Sequence, residues 1–389
     1  MNASNANLAN SGVTTNLVAA ANAMRIPTED LKRQWAAIGP DILAAVQRVL
    51  PTGKYVLGPE LAQFETDFAA FCGTAYSIGM SNGTAALHLA LRACGVGPGD
   101  EVITVPNTFA ATAFAISHCG ATPVFADVDP DTFNMRPDAV EALITPRTKA
   151  ILPVHLYGQV GEIEAIVALA RARGLRVVED CAHTHGAMRH GKHAGAFGDV
   201  GCFSFYPTKV MGAFGDGGMC VTSDPDLNAR IRQYRYMGQR VKYNHEILGY
   251  QERLDELQAA MLAVKLRYLP GWVRERRRVA AIYDELIGST PAVTPVVAAG
   301  NQHAYYLYTI RAPRREALMA HLAARGIGSY VVYPYLVPMM GAYTALNFDP
   351  DQTPVARDHA AEILSLPMFP ELTDAEAREV GQAVREFYA

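Results

Sequence analysis

A chain of 389 residues is long enough to bury a large core, and its length predicts two domains. Half of its residues are hydrophobic, 19% are charged and the net charge is −4, so it lacks the basic excess that nucleic acid or an anionic membrane requires. No run reaches the roughly 18 apolar residues of a membrane span, and neither kind of partner is expected.

Residues 1–23 are rich in Asn, Ala, Ser and Thr and carry no charge before Arg25. They lack the basic start and compact apolar core of a signal peptide, which predicts a flexible leader, with Met24 as an alternative start. Six cysteines (Cys72, Cys94, Cys119, Cys181, Cys202 and Cys220) show no C-x-x-C spacing. They read as buried free thiols rather than disulfides or metal ligands, and a cytoplasmic location is expected.

From Glu60 to Met219, short β-rich runs alternate with amphipathic stretches of helical length. The predicted strands are Tyr76–Met80, Glu101–Val105, Pro123–Asp127, Ala150–Val154, Leu175–Glu179, Val200–Phe205 and Gly217–Thr222. Several are almost wholly apolar, as parallel strands covered on both faces are. Helices are predicted at Thr84–Cys94, Thr112–His118, Pro137–Ile144 and Ile163–Arg173, the last ending at Gly174, a good left-handed cap. The fold class is therefore α/β, a large domain around a seven-stranded, mainly parallel sheet.

Beyond Arg253 the pattern becomes one long charged helix to about Gly288, followed by a Pro/Val/Ala/Gly-rich joint at Thr290–Gly300. A strand at Tyr305–Arg311, a helix at Arg314–Arg325, a strand at Gly328–Val332 and a helix at Thr373–Phe387 complete a smaller α+β domain. The predicted division is 24–57 as an N-terminal segment of the small domain, 58–289 as the large domain and 290–389 as the small one.

Two segments carry the chemistry. In Val177-Val178-Glu179-Asp180 and Ser204-Phe205-Tyr206-Pro207-Thr208-Lys209, a charged side chain follows an apolar, strand-like run. An acid and a lysine so presented can grip opposite ends of pyridoxal 5′-phosphate (PLP), which needs a carboxylate on its ring nitrogen and a lysine in Schiff-base linkage to its aldehyde. Read apart, Asp180 serves equally well as a cap and Lys209 as a surface-loop lysine. His183 is placed to reach the cofactor's phenolic oxygen, although a lone histidine is more often a satisfied core residue. Ser81-Asn82-Gly83-Thr84-Ala85-Ala86, between a strand and a helix, offers free N–H groups for a phosphate, or a plain N-cap. Ser204 is within reach of that phosphate. The dense glycines of Gly212–Gly218 allow backbone to approach a ligand closely. Phe109 can stack on the pyridine ring or simply pack.

Taken together and in this order, these segments resemble the nucleotide-sugar aminotransferase family (the DegT/StrS group) of fold-type I PLP enzymes. The resemblance runs from about Ile26 to Phe387. It also rests on Leu57-Gly58-Pro59 with Phe64-Glu65, on Val154-His155-Leu156-Tyr157-Gly158 and on Gly215-Asp216-Gly217-Gly218. Arg253-Leu254-Asp255-Glu256-Leu257-Gln258-Ala259-Ala260 and Leu364-Ser365-Leu366-Pro367 complete the set.

The resemblance implies Lys209 as the cofactor lysine, Asp180 on the ring nitrogen and His183 near the phenolic oxygen. Gly83, Thr84, Ala85 and Ser204 would form the phosphate cup, Phe109 would stack on the ring, and Arg253 and Tyr333 would contact substrate. It implies a homodimer with shared sites, in which Gln251 stands where the family usually has an asparagine reaching the partner's phosphate. Pro338 stands where a histidine is common, in a segment that borders the sugar nucleotide. The expected reaction passes an amino group, with glutamate as donor, to a 3-keto or 4-keto nucleotide sugar through PLP and its pyridoxamine form. A cyclitol aminotransferase is the alternative. A PLP-type sugar dehydratase is disfavoured by Lys209, since that branch has histidine there, and an inert regulatory relative by the intact Asp180–Lys209 pair.

Overall fold

The computed structural model describes residues 24–389; the leader expected over 1–23 lies outside the described residues. All seven predicted strands form, as β1 (Tyr76–Met80), β2 (Glu101–Thr104), β3 (Thr122–Phe125), β4 (Thr148–Ile151), β5 (Arg176–Asp180), β6 (Val200–Ser204) and β7 (Gly218–Thr222). They make one sheet in the order β1-β7-β6-β5-β4-β2-β3. The pairs from β6 through β3 are parallel, while β7 runs antiparallel to both β6 and β1. The C-terminal ends of β1, β5 and β6 therefore share one edge, where ligands bind in open α/β sheets.

The main helices are α1 (Leu31–Val49), α2 (Pro59–Cys72), α3 (Gly83–Ala93), α4 (Ala110–His118), α5 (Pro137–Glu141), α6 (Ile163–Arg173), α7 (Pro225–Arg235) and α8 (Glu256–Ile287). Helix α6 ends on Gly174 at φ 66°, the predicted left-handed cap. One face of the sheet buries Ile78, Val102, Val178 and Val200 against Leu87 and Leu91 of α3 and Ile231 of α7. The other packs Phe203 and the Phe205 that follows β6 on Phe64 and Phe68 of α2, with Leu262 and Leu269 of α8 in the same cluster. Phe68 meets Phe203 edge to face at 5.1 Å.

Two of the sequence motifs are buried clamps. Glu256, at the start of α8, takes the N–H groups of Gly58, Glu60 and Leu61 at 2.6–3.1 Å, satisfying the otherwise orphaned donors at the start of α2. Glu65 takes the Gly79 N–H at 2.8 Å and pairs with Arg235 at 2.7 Å and Arg232 at 2.8 Å.

A second core gathers Val279, Tyr283 and Ile287 from the far half of α8 with Ile26, Tyr308, Leu318, Leu364 and Val380. It is built on α9 (Arg315–Ala324), α10 (Pro354–Glu362), α11 (Asp374–Tyr388) and an antiparallel pair, β8 (Tyr308–Arg311) and β9 (Ile363–Leu366). The strand predicted at Gly328–Val332 does not form. Only Tyr330 bridges, to Ser365 of β9, and the strand that pairs with β8 comes from the Leu364-Ser365-Leu366 motif. Ile26 bridges Ile327 in this second core, whereas α1 lays Ile38, Ile42 and Ala45 on Ala260, Met261 and Val264 of α8. All six cysteines are buried free thiols. Among the described residues no helix is long and apolar enough to cross a membrane.

Candidate active site

Asp180 ends β5, and its buried carboxylate accepts the Ala182 N–H at 3.1 Å and the Thr112 hydroxyl at 2.8 Å. Thr112 spends its only proton there, so Thr108 Oγ1, 2.8 Å away, must be the donor in its contact with Thr112. The result is a three-member chain aimed at one carboxylate oxygen. Burial raises the pKa of Asp180, and these two hydrogen bonds and the charge of Lys209 pull it back.

Lys209 lies in the turn after β6, with its amine 4.3 Å over the Tyr306 ring. Burial pushes its pKa down to about 7, against the opposing pull of Asp180 and Glu29. Near neutral pH a substantial fraction of this lysine is thus the free amine, the nucleophilic form. His183 is 4.4 Å from Tyr306, ring to ring. Its Nδ1 accepts the Tyr157 N–H at 3.2 Å, which leaves the proton of the neutral ring on Nε2, facing the Tyr333 hydroxyl at 3.4 Å. Burial and Lys209 hold its pKa well below the ordinary value, so the ring is neutral.

The phosphate-cup candidates also converge. Asn82 caps α3 by taking the Ala85 N–H at 2.8 Å, leaving the N–H groups of Gly83 and Thr84 as the remaining first-turn donors. Gly83 lies so close to Ser204 that a Cβ would meet the serine Cβ at 2.6 Å. The cup is therefore built where the start of α3 presses against the end of β6.

A Cβ on Gly218 would stand 2.4 Å from the Asn82 carbonyl, and one on Gly212 would stand 2.1 Å from that of Pro207. At these two positions the close approach is of chain to chain. Phe109, N-terminal to α4, is 57% exposed with its ring 5.5 Å from that of Tyr333, at the open side of the site. Arg253 bridges Met80 beside the cup. Gln251 is exposed and its backbone bridges Tyr236. Pro338 is buried in the short helical turn Val337–Met339.

The chain matches the DegT/DnrJ/EryC1/StrS aminotransferase family over residues 36–385. It belongs to that family. It is 44% identical to the dTDP-3-amino-3,4,6-trideoxy-alpha-D-glucose transaminase of Streptomyces venezuelae, over 93% of this chain and 96% of the relative. A protein of Geobacillus stearothermophilus named pleiotropic regulatory protein is 45% identical, over 94% of this chain and 99% of its own length. The crystal structure of S. venezuelae DesV in complex with a ketimine intermediate superposes with a TM-score of 0.92 at 44% identity, covering 94% of this chain and 99% of that one. The chain is accordingly a fold-type I, PLP-dependent aminotransferase.

The residues present fit that cofactor: a buried carboxylate opposite a lysine of low pKa, a donor-lined cup that only a glycine permits, and an exposed aromatic at the mouth. Sequence reasoning missed Thr112, Thr108 and Tyr306, whose importance lies wholly in what they touch. A hydroxyl on the first turns of a helix after a strand end was the only available signal. His155, Glu179 and Cys181 also cluster, but as a closed network. His155 accepts the Gly161 N–H and gives its Nε2 proton to Glu179 at 2.9 Å, while Glu179 takes the N–H groups of Gly195, Phe197 and Gly198. These residues hold the backbone behind Asp180.

Proposed function

We propose that this chain moves the amino group of glutamate to a keto-deoxysugar carried on a nucleoside diphosphate. The carrying observation is the pairing of a buried Asp180, whose carboxyl is held by Thr112 and Ala182, with Lys209 in the turn after the neighbouring strand β6, its amine over the Tyr306 ring. When bound, PLP supplies the electron sink that stabilises negative charge at the carbon losing its proton. Asp180 would hold the ring nitrogen in its protonated form. Gly83, Thr84 and Ser204 would hold the phosphate, with the Ala85 N–H already taken by Asn82, Phe109 would cover one ring face, and His183 would donate from Nε2 to the phenolic oxygen.

Lys209 would hold the cofactor by its aldehyde end, and its free amine would take and return the proton in both half-reactions. Tyr333, beside His183 and Phe109, would meet the substrate, as would Arg253, whose backbone bridges Met80 at the end of β1. We place the ketone at C3, following the 3-amino product named for the S. venezuelae relative. The Geobacillus relative bears a regulatory name, but the intact Asp180–Lys209 pair favours a working enzyme here.

We read the assembly as a homodimer with Gln251 contributing to the partner's site, in keeping with its exposure. The buried reduced thiols fit a cytoplasmic setting.

Incubation with glutamate and a panel of 3-keto and 4-keto nucleotide sugars tests the reading. Amination of a 3-keto substrate by the wild type, lost together with the visible cofactor absorbance in Lys209→Ala, is expected. Turnover by Lys209→Ala would overturn the role of that lysine, and preference for 4-keto sugars would overturn the regiochemistry.

A further inference from the structure

Lys265 is 2% exposed and lies in the interior face of α8, where an ammonium is expensive unless something holds it. Its Nζ donates to the Gly212 carbonyl at 2.6 Å and sits 4.2 Å over the Phe214 ring. One carbonyl and one ring face are a thin set of partners for a buried cation, and both belong to the loop that carries Lys209. Seven residues earlier, two turns along the same face of α8, Gln258 grips the same stretch of that loop by its Phe214 backbone. Its side chain takes the Phe214 N–H at 3.0 Å and donates to the Phe214 carbonyl at 3.1 Å.

From Phe205 up to these anchors the loop is a closed block. The Lys209 N–H bonds the Tyr206 carbonyl at 2.9 Å and the Ala213 N–H bonds the Phe205 carbonyl at 2.7 Å. Gly212 meets Pro207 so closely that no side chain would fit. A pull at Gly212 is therefore transmitted to the Pro207–Lys209 turn without slack.

We propose that Lys265 is a positioning residue for Lys209, its ammonium pinning the Gly212 carbonyl and the Phe214 ring so that the cofactor lysine is presented at a fixed height in the site. The proposal rests on the assignment of Lys209 as the cofactor lysine. Lys265 touches neither substrate nor cofactor and acts only through the loop. A methionine would fill the same volume without the cation, so Lys265→Met separates packing from anchoring.

The holoenzyme and the cofactor-stripped protein are compared for wild type, Lys265→Met and Gln258→Ala. PLP is added to the stripped protein, samples are quenched with borohydride, and the Lys209 peptide is followed by mass spectrometry. Loss of precise placement in Lys265→Met is expected to slow labelling of Lys209 and lower kcat on the order of 10- to 100-fold, with KM for glutamate nearly unchanged. Gln258→Ala, which frees only Phe214, is expected to show a smaller loss of the same kind.

Wild-type labelling and kcat in Lys265→Met would overturn the proposal, as would a defect confined to KM or to melting temperature. If Lys265→Met does not fold, unchanged labelling in Gln258→Ala overturns it equally. No label on Lys209 in the wild type would instead refute the cofactor assignment itself.

Discussion

At the scale of single residues the site works by contrast. Asp180 and Lys209 share one desolvated pocket, and each partly cancels the cost of charging the other. In the cofactor-free protein the Lys209 amine should react with an amine-selective reagent with a midpoint near its pKa of about 7, against 10.5 for an ordinary lysine. Asp180→Asn removes a carboxylate that raises this value, so the midpoint should move lower; an upward shift would contradict the coupling.

The same depression sets a sign for stability. Unfolding lets Lys209 bind a proton that the native amine has lost, so the penalty for burying it fades as pH rises from about 7 towards 10.5. The stability gap between cofactor-free wild type and Lys209→Met should close over that window. Asp180 and Lys209 are legible in the sequence because each follows an apolar run. Thr112 and Tyr306 are not, because a hydroxyl in a helix and a ring in a loop look ordinary until folding sets them against a carboxylate and an amine.

At the scale of elements, the phosphate cup depends on how closely α3 meets β6. Gly83→Ala would drive a methyl into Ser204, where the contact would be 2.6 Å. Overpacking of this kind costs about 1–3 kcal/mol, which should weaken PLP binding roughly 10- to 100-fold in a fluorescence titration while the sheet stays intact. Wild-type affinity would show that the cup does not need the glycine.

The seven strands of the sheet are readable from sequence because strands covered on both faces, as most of these parallel ones are, read as continuous apolar runs. The partner of β8 is not, because β9 is only four residues long and follows a helix with no turn signal between them. Tyr330 approaches Ser365 by a single bridge, and the β9 stretch takes the full register from Tyr308 to Arg311. Helix α1 is hidden for another reason: Pro40 lies inside it, breaking the pattern a helix is recognised by.

At the scale of the molecule, an apolar patch lies beside the site. Trp35 and Leu43 on α1 are 44% and 51% exposed, and Phe214, just beyond the Lys209 turn, is 41% exposed with its ring 6.2 Å from Trp35. We expect this surface to be covered by a second copy of the chain in the proposed homodimer. Trp35→Glu with Leu43→Glu should give a monomer by light scattering and lose transamination activity, whereas a fully active monomer would exclude a shared site.

The long helix that frames this patch also reaches the other core. At 32 residues, α8 spans about 48 Å. Its first half supports the Lys209 loop through Gln258 and Lys265. From its second half Arg276 holds the carbonyls of Tyr305 and Tyr306 at 3.0 and 3.2 Å, and Tyr306 lies under the Lys209 amine. One helix thus meets the reactive lysine from both sides. Adding one residue between Lys265 and Arg276 would rotate everything beyond it by about 100° and carry Tyr306 away from the amine. The residue count of α8 is in this sense a ruler for the active site: side chains along it can be exchanged, but its length in turns is a dimension of the catalyst.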